Sequence, residues 1–206
     1  MRNPWLGVPL QDYEGHMESP GVEQLGPLSE LFAEALALCH PESVAILGIA
    51  GGNGLEHVTA SVKRIVGLDI NPAYLDVVRE RHSYLPGLEL HGIDLADTPV
   101  DLAPVQLVHA ALVFEHAGAG RCLENALRLV APGGALSAVL QRPSEVEAAV
   151  SASRFLSIQN LKSHFTFIDP AWFSETLQAR GLRLIYRTRR SLPAGKGFWM
   201  GVFRRE

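Results

Sequence analysis

Several kinds of residue and pattern are scarce in this 206-residue sequence, and each scarcity excludes a class of protein. Only two cysteines occur, Cys39 and Cys122, far apart and outside any C-x-x-C motif, so neither a disulfide scaffold nor a zinc ribbon is indicated. No apolar run approaches the roughly 20 residues that a membrane-spanning helix needs. The net charge of −4 provides no general attraction to nucleic acid or to anionic membranes.

Signals for export and for metal binding are also missing. The first residues, MRNPWLGVPLQDYEGHM, lack the charged and then apolar layout of a secretory signal, so we expect a cytoplasmic protein. Eight histidines are present, but none forms H-x-x-x-H or pairs with a cysteine at ligand spacing, and no metal is expected. The hydrophobic share of 47% and the charged share of 19% are ordinary for a globular protein.

The most informative segment is AILGIAGGNGLEHV, residues 45–58, followed by the acid Asp69. A strand-like apolar run enters a cluster of glycines, and glycine lets a ligand approach the bare backbone because it has no Cβ. A helix after the glycines would offer unpaired N–H groups there. A second apolar run ends on Asp69, and a carboxylate at that point suits the two hydroxyls of a ribose. The pattern predicts a site for a ribose-containing ligand.

Strands and helices alternate through most of the chain, which predicts a doubly wound α/β sheet. Asn71 and Pro72 have the residue types of a helix cap and a first helical position. Residues 1–20 show neither a helical nor a strand period, so we expect an irregular arm there. For residues 144–169 we expect a helix and a loop. The last two strands lack a helix between them, which predicts an antiparallel pair. The predicted strands are 43–49, 64–69, 88–92, 105–114, 135–140, 182–188 and 198–203, and the predicted helices are 22–38, 53–61, 72–84, 121–130 and 170–179.

A family resemblance is carried by AILGIAGGNG, IVGLDINPAYLDVVRERH, LHGIDLAD, VQLVHAALVFEH and LRLVAPGGALSAVL, which follow one another in this order. From about residue 22 onward the chain resembles the class I S-adenosylmethionine-dependent methyltransferases. The resemblance implies a single domain over 1–206 with a doubly wound α/β fold. It further implies a seven-stranded sheet of order 3-2-1-4-5-7-6, with the last strand antiparallel and helices on both faces. The chain would divide into an arm or lid (1–20), a cofactor-binding half (21–141), and a substrate-side insert with the C-terminal strand pair (142–206).

The resemblance also implies contacts with S-adenosylmethionine. Asp69 would hold the ribose hydroxyls, and Ile70 would lie against the adenine ring. Asp94 would accept a hydrogen bond from the adenine amino group beside the N–H of Leu95, and Ala110 would contribute backbone near the methionine end. The loop contacts would come from Gly48, Ala50, Gly52, Asn53 and Gly54.

One position departs from the family. The first motif of the family usually has an acid two residues before its first glycine. In this sequence Gly48 occupies the position of the acid, and Ala50 occupies that of the first glycine. That carboxylate normally lies near the ammonium group of the cofactor, and its loss removes a charge-assisted hydrogen bond worth on the order of 1.5–3 kcal/mol. Asn53, Glu56 and Glu14 are candidates to replace it.

Methyl transfer has no obligatory catalytic motif, because the protein mainly positions the two reactants. Glu115 and His116 follow the fourth strand and are the candidate proton acceptors; the alternative is that both only hold a helix entry. Tyr13 and His16 lie in the motif DYEGHM, residues 12–17, which either forms part of a lid over the cofactor or is an exposed tail.

The acceptor pocket is expected after the fifth strand, where aromatic side chains either line it or belong to the core. The favoured function is methyl transfer from S-adenosylmethionine to a small molecule, by a monomer or homodimer with no nucleic acid or membrane partner. A non-catalytic methyltransferase-like binding module is the alternative, and a nicotinamide-dependent oxidoreductase or epimerase is less favoured because His57 replaces the last glycine of G-x-G-x-x-G. The candidate pocket residues are Phe155, Phe165, Phe167 and Trp172, with Gln141, Arg142, Arg154, Lys162 and His164 to orient a polar group.

Overall fold

A computed structural model describes residues 3–144 and 150–206, which contain a seven-stranded sheet. The strands are β1 (Ser43–Leu47), β2 (Arg64–Asp69), β3 (Leu88–Gly92), β4 (Val105–Ala111), β5 (Val130–Arg142), β6 (Leu182–Ser191) and β7 (Gly197–Arg205). Their order is β3-β2-β1-β4-β5-β7-β6. The first five strands are parallel, and β7 is antiparallel to both of its neighbours. The predicted fold class is confirmed.

Helices follow most of the strands. They are α1 (Leu10–Met17), α2 (Leu25–Cys39), α3 (Pro72–Arg81), α4 (Phe114–Ala117), α5 (Arg121–Leu129), α6 (Leu156–Gln159) and α7 (Pro170–Gln178), with 3₁₀ turns at Pro4–Gly7, Leu55–His57, Lys162–His164 and Pro193–Gly195. The predicted cap of α3 is confirmed, because the Asn71 side chain accepts from the N–H of Ala73 at 3.1 Å. Within the described part of the chain, no helix has the length and apolarity needed to cross a membrane.

Both faces of the sheet are covered by apolar side chains. Successive residues of β4 alternate between them: Leu107 packs in the cluster that contains α2 and α3, whereas Val108 packs in the cluster that contains α5 and α7. This two-sided burial explains why β4 is apolar along nearly its whole length. It also leaves the carboxyl ends of the parallel strands as the edge at which loops diverge.

The prediction of an irregular N-terminal arm is wrong. Residues 4–17 form a 3₁₀ turn and the helix α1, and their order comes from contacts with the sheet rather than from a sequence period. The Asn3 side chain accepts from the N–H of Trp5 at 3.2 Å and begins the first turn. The Asn71 amide donates to the carbonyl oxygen of Trp5 at 3.0 Å, and the Tyr74 hydroxyl donates to that of Val8 at 2.9 Å.

The predicted helix over 53–61 is also wrong, since only the 3₁₀ turn Leu55–His57 is present. Gly52 and Gly54 adopt φ of +83° and +92°, a conformation through which a right-handed helix does not continue. Val58 then leaves in an extended conformation, with φ −74° and ψ 119°. The glycine loop therefore presents turn backbone, not the N-terminus of an α-helix.

Among the other elements, the boundaries of the fourth and fifth strands differ most from prediction. The fourth strand ends at Ala111 instead of residue 114, because Leu112 adopts φ +57° and α4 begins at Phe114. The fifth strand is longer than predicted and includes the Pro-Gly-Gly segment, with Gly133 at φ +72°. Within 144–169 the structure contains the predicted helix as α6, and residues 145–149 of that prediction lie outside the described residues.

Removing the Tyr74 hydroxyl should loosen the N-terminal segment. This side chain is only 2% exposed, and Tyr74→Phe leaves the Val8 carbonyl oxygen without its shorter hydrogen bond. We expect a loss of about 1 kcal/mol in the free energy of unfolding, measured by urea denaturation. Tyr84→Phe is the control, since Tyr84 is 64% exposed. Equal stability of the two variants would contradict the proposed anchoring of the N-terminal segment.

Candidate active site

A cavity opens at the carboxyl ends of the parallel strands, around the point between β1 and β4 where the strand order reverses. The N-terminal segment and residues between 150 and 165 form its roof, and the space amounts to about 1090 Å³ when the open mouth is included. Doubly wound sheets bind ligands at this position, because the loops on either side of the reversal diverge.

Asp69 lies at the base of the cavity and ties two loops together. Its side chain is buried; Oδ2 accepts from the N–H of Ala50 at 2.9 Å, and Oδ1 accepts from the N–H of Asn71 at 2.9 Å. Burial raises the pKa of Asp69, while the bonds from Asn71 and Ala50 act in the opposite direction. Each carboxylate oxygen has a further lone pair with which to accept from a ligand hydroxyl. Ile70, the next residue, also lines the cavity.

The beginning of the glycine loop reaches the cavity. Gly48 and Ala50 both line it, with φ of +67° and +46°. Positive φ is uncommon for alanine and marks a backbone held by its surroundings. The N–H of Ala50 is held in this conformation by its bond to Asp69. The loop and the acid that the sequence singled out are therefore joined by a direct hydrogen bond.

The end of the glycine loop faces away from the cavity, so three predicted contact residues lie elsewhere. A Cβ on Gly52 would lie 2.6 Å from Nε2 of His82, and one on Gly54 would lie 2.9 Å from Cδ1 of Phe32. These glycines permit close packing of the loop against its neighbours. The Asn53 side chain is exposed and donates to the carbonyl oxygen of Leu25 at 2.9 Å. Gly52, Asn53 and Gly54 do not line the cavity.

None of the three candidates to replace the first-motif acid lines the cavity. Asn53 points to Leu25, as described above. Glu56 accepts from the Ser29 hydroxyl at 2.6 Å and from the N–H of Gly54 at 3.0 Å, outside the cavity. Glu14 forms an ion pair with Arg81. The described carboxylates that line the cavity are those of Asp69 and Asp94.

Gly48 is also unsuited to an acid in this fold. A Cβ on it would lie 3.3 Å from Cγ2 of Val113, and its positive φ is unfavourable for any side chain. An acid at this position would therefore require the loop after β4 to move.

The loops after β3 and β4 form one wall. Asp94 lines the cavity and accepts from the Asn3 amide at 3.1 Å and from the N–H of Ala96 at 3.0 Å. Leu95 is buried beside it and also lines the cavity. Ala110 does not line the cavity, because it is fully buried in the core of the sheet. The cavity wall begins one residue later, at Ala111 and the strained Leu112.

The N-terminal segment places Tyr13 and His16 in the roof, as the lid interpretation requires. Burial, followed by the charges of Asp69 and Glu14, raises the pKa of Tyr13 and keeps its hydroxyl protonated. Burial, followed by the charge of Lys196, lowers the pKa of His16. In the described structure, Nδ1 of His16 is buried and has no hydrogen-bond partner.

Trp5 and His116 form an aromatic part of the wall. Their ring centroids lie 4.9 Å apart in an edge-to-face arrangement, and the Phe165 ring is also edge-to-face with His116, at 5.2 Å. Burial, with a smaller contribution from His164, lowers the pKa of His116 to about 4, so its imidazole is neutral at pH 7. Its Nδ1 is buried without a hydrogen-bond partner in the described structure. Trp5 was not predicted to line the site, because the N-terminal segment has no sequence period from which the orientation of its side chains follows.

Glu115 is separated from the cavity, unlike His116. It is 1% exposed and does not line the cavity. Oε1 accepts from the N–H of Gln141 at 2.7 Å, and Oε2 has no partner within the described structure. Burial raises the pKa of Glu115 to about 7. These contacts support the structural interpretation of Glu115, which links α4 to the end of β5.

The end of the cavity nearest β5 has a different composition. Gln141 and Phe165 line it as predicted, with the apolar side chains of Ile158 and Leu161. Lys196 also lines this end and was missed, because the segment SLPAGKG was interpreted only as a connection between strands. Several of the predicted pocket residues lie elsewhere: Phe155 packs on Gly15, while Phe167 and Trp172 are exposed.

The described residues contain no group of three or more His, Cys, Asp or Glu side chains that could hold a metal ion. The cavity instead combines carboxylates at one end with apolar walls and a cation at the other. An adenosine fits this arrangement, because Asp69 can accept hydrogen bonds from the ribose hydroxyls. Ile70 and Leu95 provide apolar surface for the adenine ring, and Asp94 provides a hydrogen-bond acceptor beside it.

Comparisons with known proteins give a consistent result. Residues 44–134 match the sequence profile of a family described as "Methyltransferase domain". No curated protein matches the sequence significantly. Among solved structures, the N-methyltransferase NodS from Bradyrhizobium japonicum WM9, in complex with S-adenosyl-L-homocysteine, is 16% identical with a TM-score of 0.72, over 98% of this chain and 97% of its own.

Two other solved structures share the fold. The CcbJ methyltransferase from Streptomyces caelestis is 15% identical with a TM-score of 0.66, over 96% of this chain and 99% of its own. The [4+2]-cyclase SpnF is 12% identical with a TM-score of 0.67, over 91% of this chain and 85% of its own. Residues 44–134 therefore match a methyltransferase domain, and the strand order is that of the class I S-adenosylmethionine-dependent methyltransferase fold.

Glu115→Gln should change how stability depends on pH. The folded pKa of about 7 lies above the ordinary value of 4.5, so the contribution of Glu115 to stability is fully present below pH 4.5 and is lost as pH rises to 7. The wild type should lose up to about 3 kcal/mol relative to Glu115→Gln across this window, measured by urea denaturation at several pH values. The exposed Glu124→Gln is the control; a wild-type curve parallel to that of Glu115→Gln would contradict the burial of an ionisable carboxyl.

Proposed function

We propose that this methyltransferase acts on a small-molecule acceptor that binds in the cavity between β5, the N-terminal segment and residues 150–165. The roof formed by Trp5, Tyr13 and His16 supports a small acceptor, because the cavity is covered by the same chain that forms its floor. The unpaired thiols of Cys39 and Cys122 are consistent with the proposed cytoplasmic location. We further propose that it acts as one domain, in a monomer or homodimer, without nucleic acid or membrane partners.

Asp69 is the observation that supports the proposal most directly. Its carboxylate is buried at the carboxyl end of β2, held by two backbone N–H groups, and borders the cavity. In this role Asp69 accepts from both ribose hydroxyls, and Ile70 packs against the adenine. Asp94 accepts from the adenine amino group while Asn3 and Ala96 hold its side chain in place.

The methyl group on the sulfonium of the bound cofactor supplies the reactive carbon, and the protein aligns the acceptor with it. Trp5, His116 and Phe165 form the nearby wall against which an apolar part of the acceptor packs. His116 receives the proton of the acceptor, because its imidazole is neutral and borders the cavity. Its low pKa makes it a weak base, so positioning supplies most of the rate enhancement.

Two other functions make different predictions for ligand binding. A non-catalytic module is favoured by Gly48, which stands where the family has an acid. The occurrence of a cyclase with this fold also shows that the fold alone does not determine the reaction. A nicotinamide-dependent enzyme would have to bind its dinucleotide without a complete G-x-G-x-x-G motif, because His57 occupies the position of the last glycine.

Calorimetry with S-adenosylhomocysteine and with NAD separates these functions. We expect the wild type to bind S-adenosylhomocysteine and not NAD. Transfer of the labelled methyl group of S-adenosylmethionine to a component of a metabolite extract then distinguishes an enzyme from a binding module. Binding of NAD in place of S-adenosylhomocysteine would contradict the proposal.

Asp69→Asn should weaken S-adenosylhomocysteine about 10- to 100-fold, because hydrogen bonds to a charged group contribute about 1.5–3 kcal/mol. An amide at this position also presents a donor to the N–H of Ala50 or Asn71. Asp97→Asn is the matched control, because Asp97 also lies in a loop at this edge of the sheet, after β3, but its side chain is exposed. Equal dissociation constants for the two variants in calorimetry would show that the ribose contact is misplaced.

A further inference from the structure

Four aromatic rings that line the cavity contact one another in turn and form an aromatic wall, consisting of Tyr13, Trp5, His116 and Phe165. The centroids of Tyr13 and Trp5 lie 5.9 Å apart, with 70° between the ring planes. His116 lies 4.9 Å from Trp5 and 5.2 Å from Phe165, with interplanar angles of 87° and 82°. All three contacts are edge-to-face, and all four residues are only half-buried. The rings therefore retain surface with which to contact a ligand in the cavity.

Most of the aromatic wall lies away from the end of the cavity at which the ribose is expected. Asp69 ends β2, whereas His116 follows β4, on the other side of β1. These two strands are two positions apart in the sheet, which corresponds to about 10 Å. The N–H of Thr166 donates to the carbonyl oxygen of Glu115 at 2.8 Å and holds the neighbouring Phe165 beside α4. The aromatic wall is thus on the side of the cavity where the proposed function places the acceptor.

Trp5, the largest ring of the aromatic wall, has a fixed position. Its N–H donates to the Asn3 side chain at 3.2 Å, and its carbonyl oxygen accepts from the Asn71 amide at 3.0 Å. Tyr13 and His116 both contact its indole ring. A surface whose groups are already in place loses little conformational freedom when a ligand binds. The aromatic wall is therefore preorganised for binding.

Aromatic rings distinguish flat aromatic ligands from saturated ones of the same size. Each ring carries a negative face and a positive edge, so a second aromatic ring gains electrostatic attraction in an offset-stacked or edge-to-face arrangement. A saturated ring contacts the same surface but gains only the burial of its apolar area. A wall of several aromatic rings in the part of the chain that the structure describes therefore favours a ligand that is itself aromatic.

We propose that the methyl acceptor is a planar aromatic compound whose ring packs against Trp5 and Phe165. The proposal names the substrate class of the proposed function and rests on that function. It assigns the choice of acceptor to these two side chains. His116 contacts both of them, so a substituent on the bound ring lies close to its imidazole.

The test uses two pairs of probes, phenol with cyclohexanol and 2-naphthol with decahydro-2-naphthol. The members of a pair share one hydroxyl group and a similar apolar surface, and only one member is planar and aromatic. Calorimetry is carried out at saturating S-adenosylhomocysteine. We expect the wild type to bind the aromatic member of at least one pair about tenfold more tightly, because contacts with two rings add to the burial. Equal affinities within both pairs, or no binding of any probe, would overturn the proposal.

Leucine variants test whether the aromatic wall is the source of this preference. Trp5→Leu and Phe165→Leu keep an apolar side chain but remove the ring, and each should lower the preference about threefold or more. Trp5→Phe should retain most of it. Trp172→Leu is the control, since Trp172 is 46% exposed and does not line the cavity. A preference that survives either leucine substitution in the aromatic wall would overturn the proposal.

The affinity for S-adenosylhomocysteine is measured in the same variants, because adenine is also a flat ring. We expect it to stay within about twofold of the wild type in Phe165→Leu. If Trp5→Leu weakens only S-adenosylhomocysteine, the indole belongs to the adenine site and the proposal is overturned. If Trp5→Leu weakens both kinds of ligand, Phe165→Leu decides. Loss of the aromatic preference with unchanged binding of S-adenosylhomocysteine supports the proposal, and any other result overturns it.

Failure of the proposed function gives a different result. A wild type that does not bind S-adenosylhomocysteine contradicts the proposed function, and the probes are then titrated without it. An aromatic preference that depends on Trp5 and Phe165 would still support a site for a planar aromatic ligand. Its absence would overturn that site as well.

Discussion

The carboxylate of Asp69 is the interaction on which the site depends. It accepts from the N–H of Ala50 in the loop after β1 and from the N–H of Asn71 at the start of α3. These bonds hold Ala50 at positive φ and place the two loops at a fixed separation. Without them, the edge of the sheet would have no defined floor for a ligand. The same side chain therefore contributes to the shape of the loop and to the proposed recognition of the ribose.

The N-terminal segment covers this floor and forms the roof of the cavity. Asn71 serves both parts, because its backbone N–H bonds to Asp69 while its side-chain amide donates to Trp5. Tyr74 and Asp94 add further bonds to the segment. Trp5 in the aromatic wall thus takes its position from contacts of the N-terminal segment with residues that follow β2 and β3. This arrangement explains why the N-terminal segment covers the cavity while one mouth stays open to solvent.

The sequence was informative where the chain follows a local rule. Apolar runs identified the strands of the sheet, and Asn71-Pro72 marked the start of α3, because these features depend on neighbouring residues alone. The arm, Trp5 and Lys196 were missed or misassigned, since their positions depend on contacts with distant residues. The glycines illustrate both cases: Gly48 borders the cavity, while Gly54 is required for packing on Phe32. His116 and Glu115 are adjacent in sequence, yet only the former reaches the cavity.

A crystal structure of the protein with S-adenosylhomocysteine tests the central claim most directly. The account predicts that both ribose hydroxyl oxygens lie within hydrogen-bond distance of the Asp69 carboxylate, about 2.5–3.0 Å. It also predicts that the adenine ring lies between Ile70 and Leu95. An adenosine bound elsewhere, or a ribose whose hydroxyls have no contact with Asp69, would contradict it.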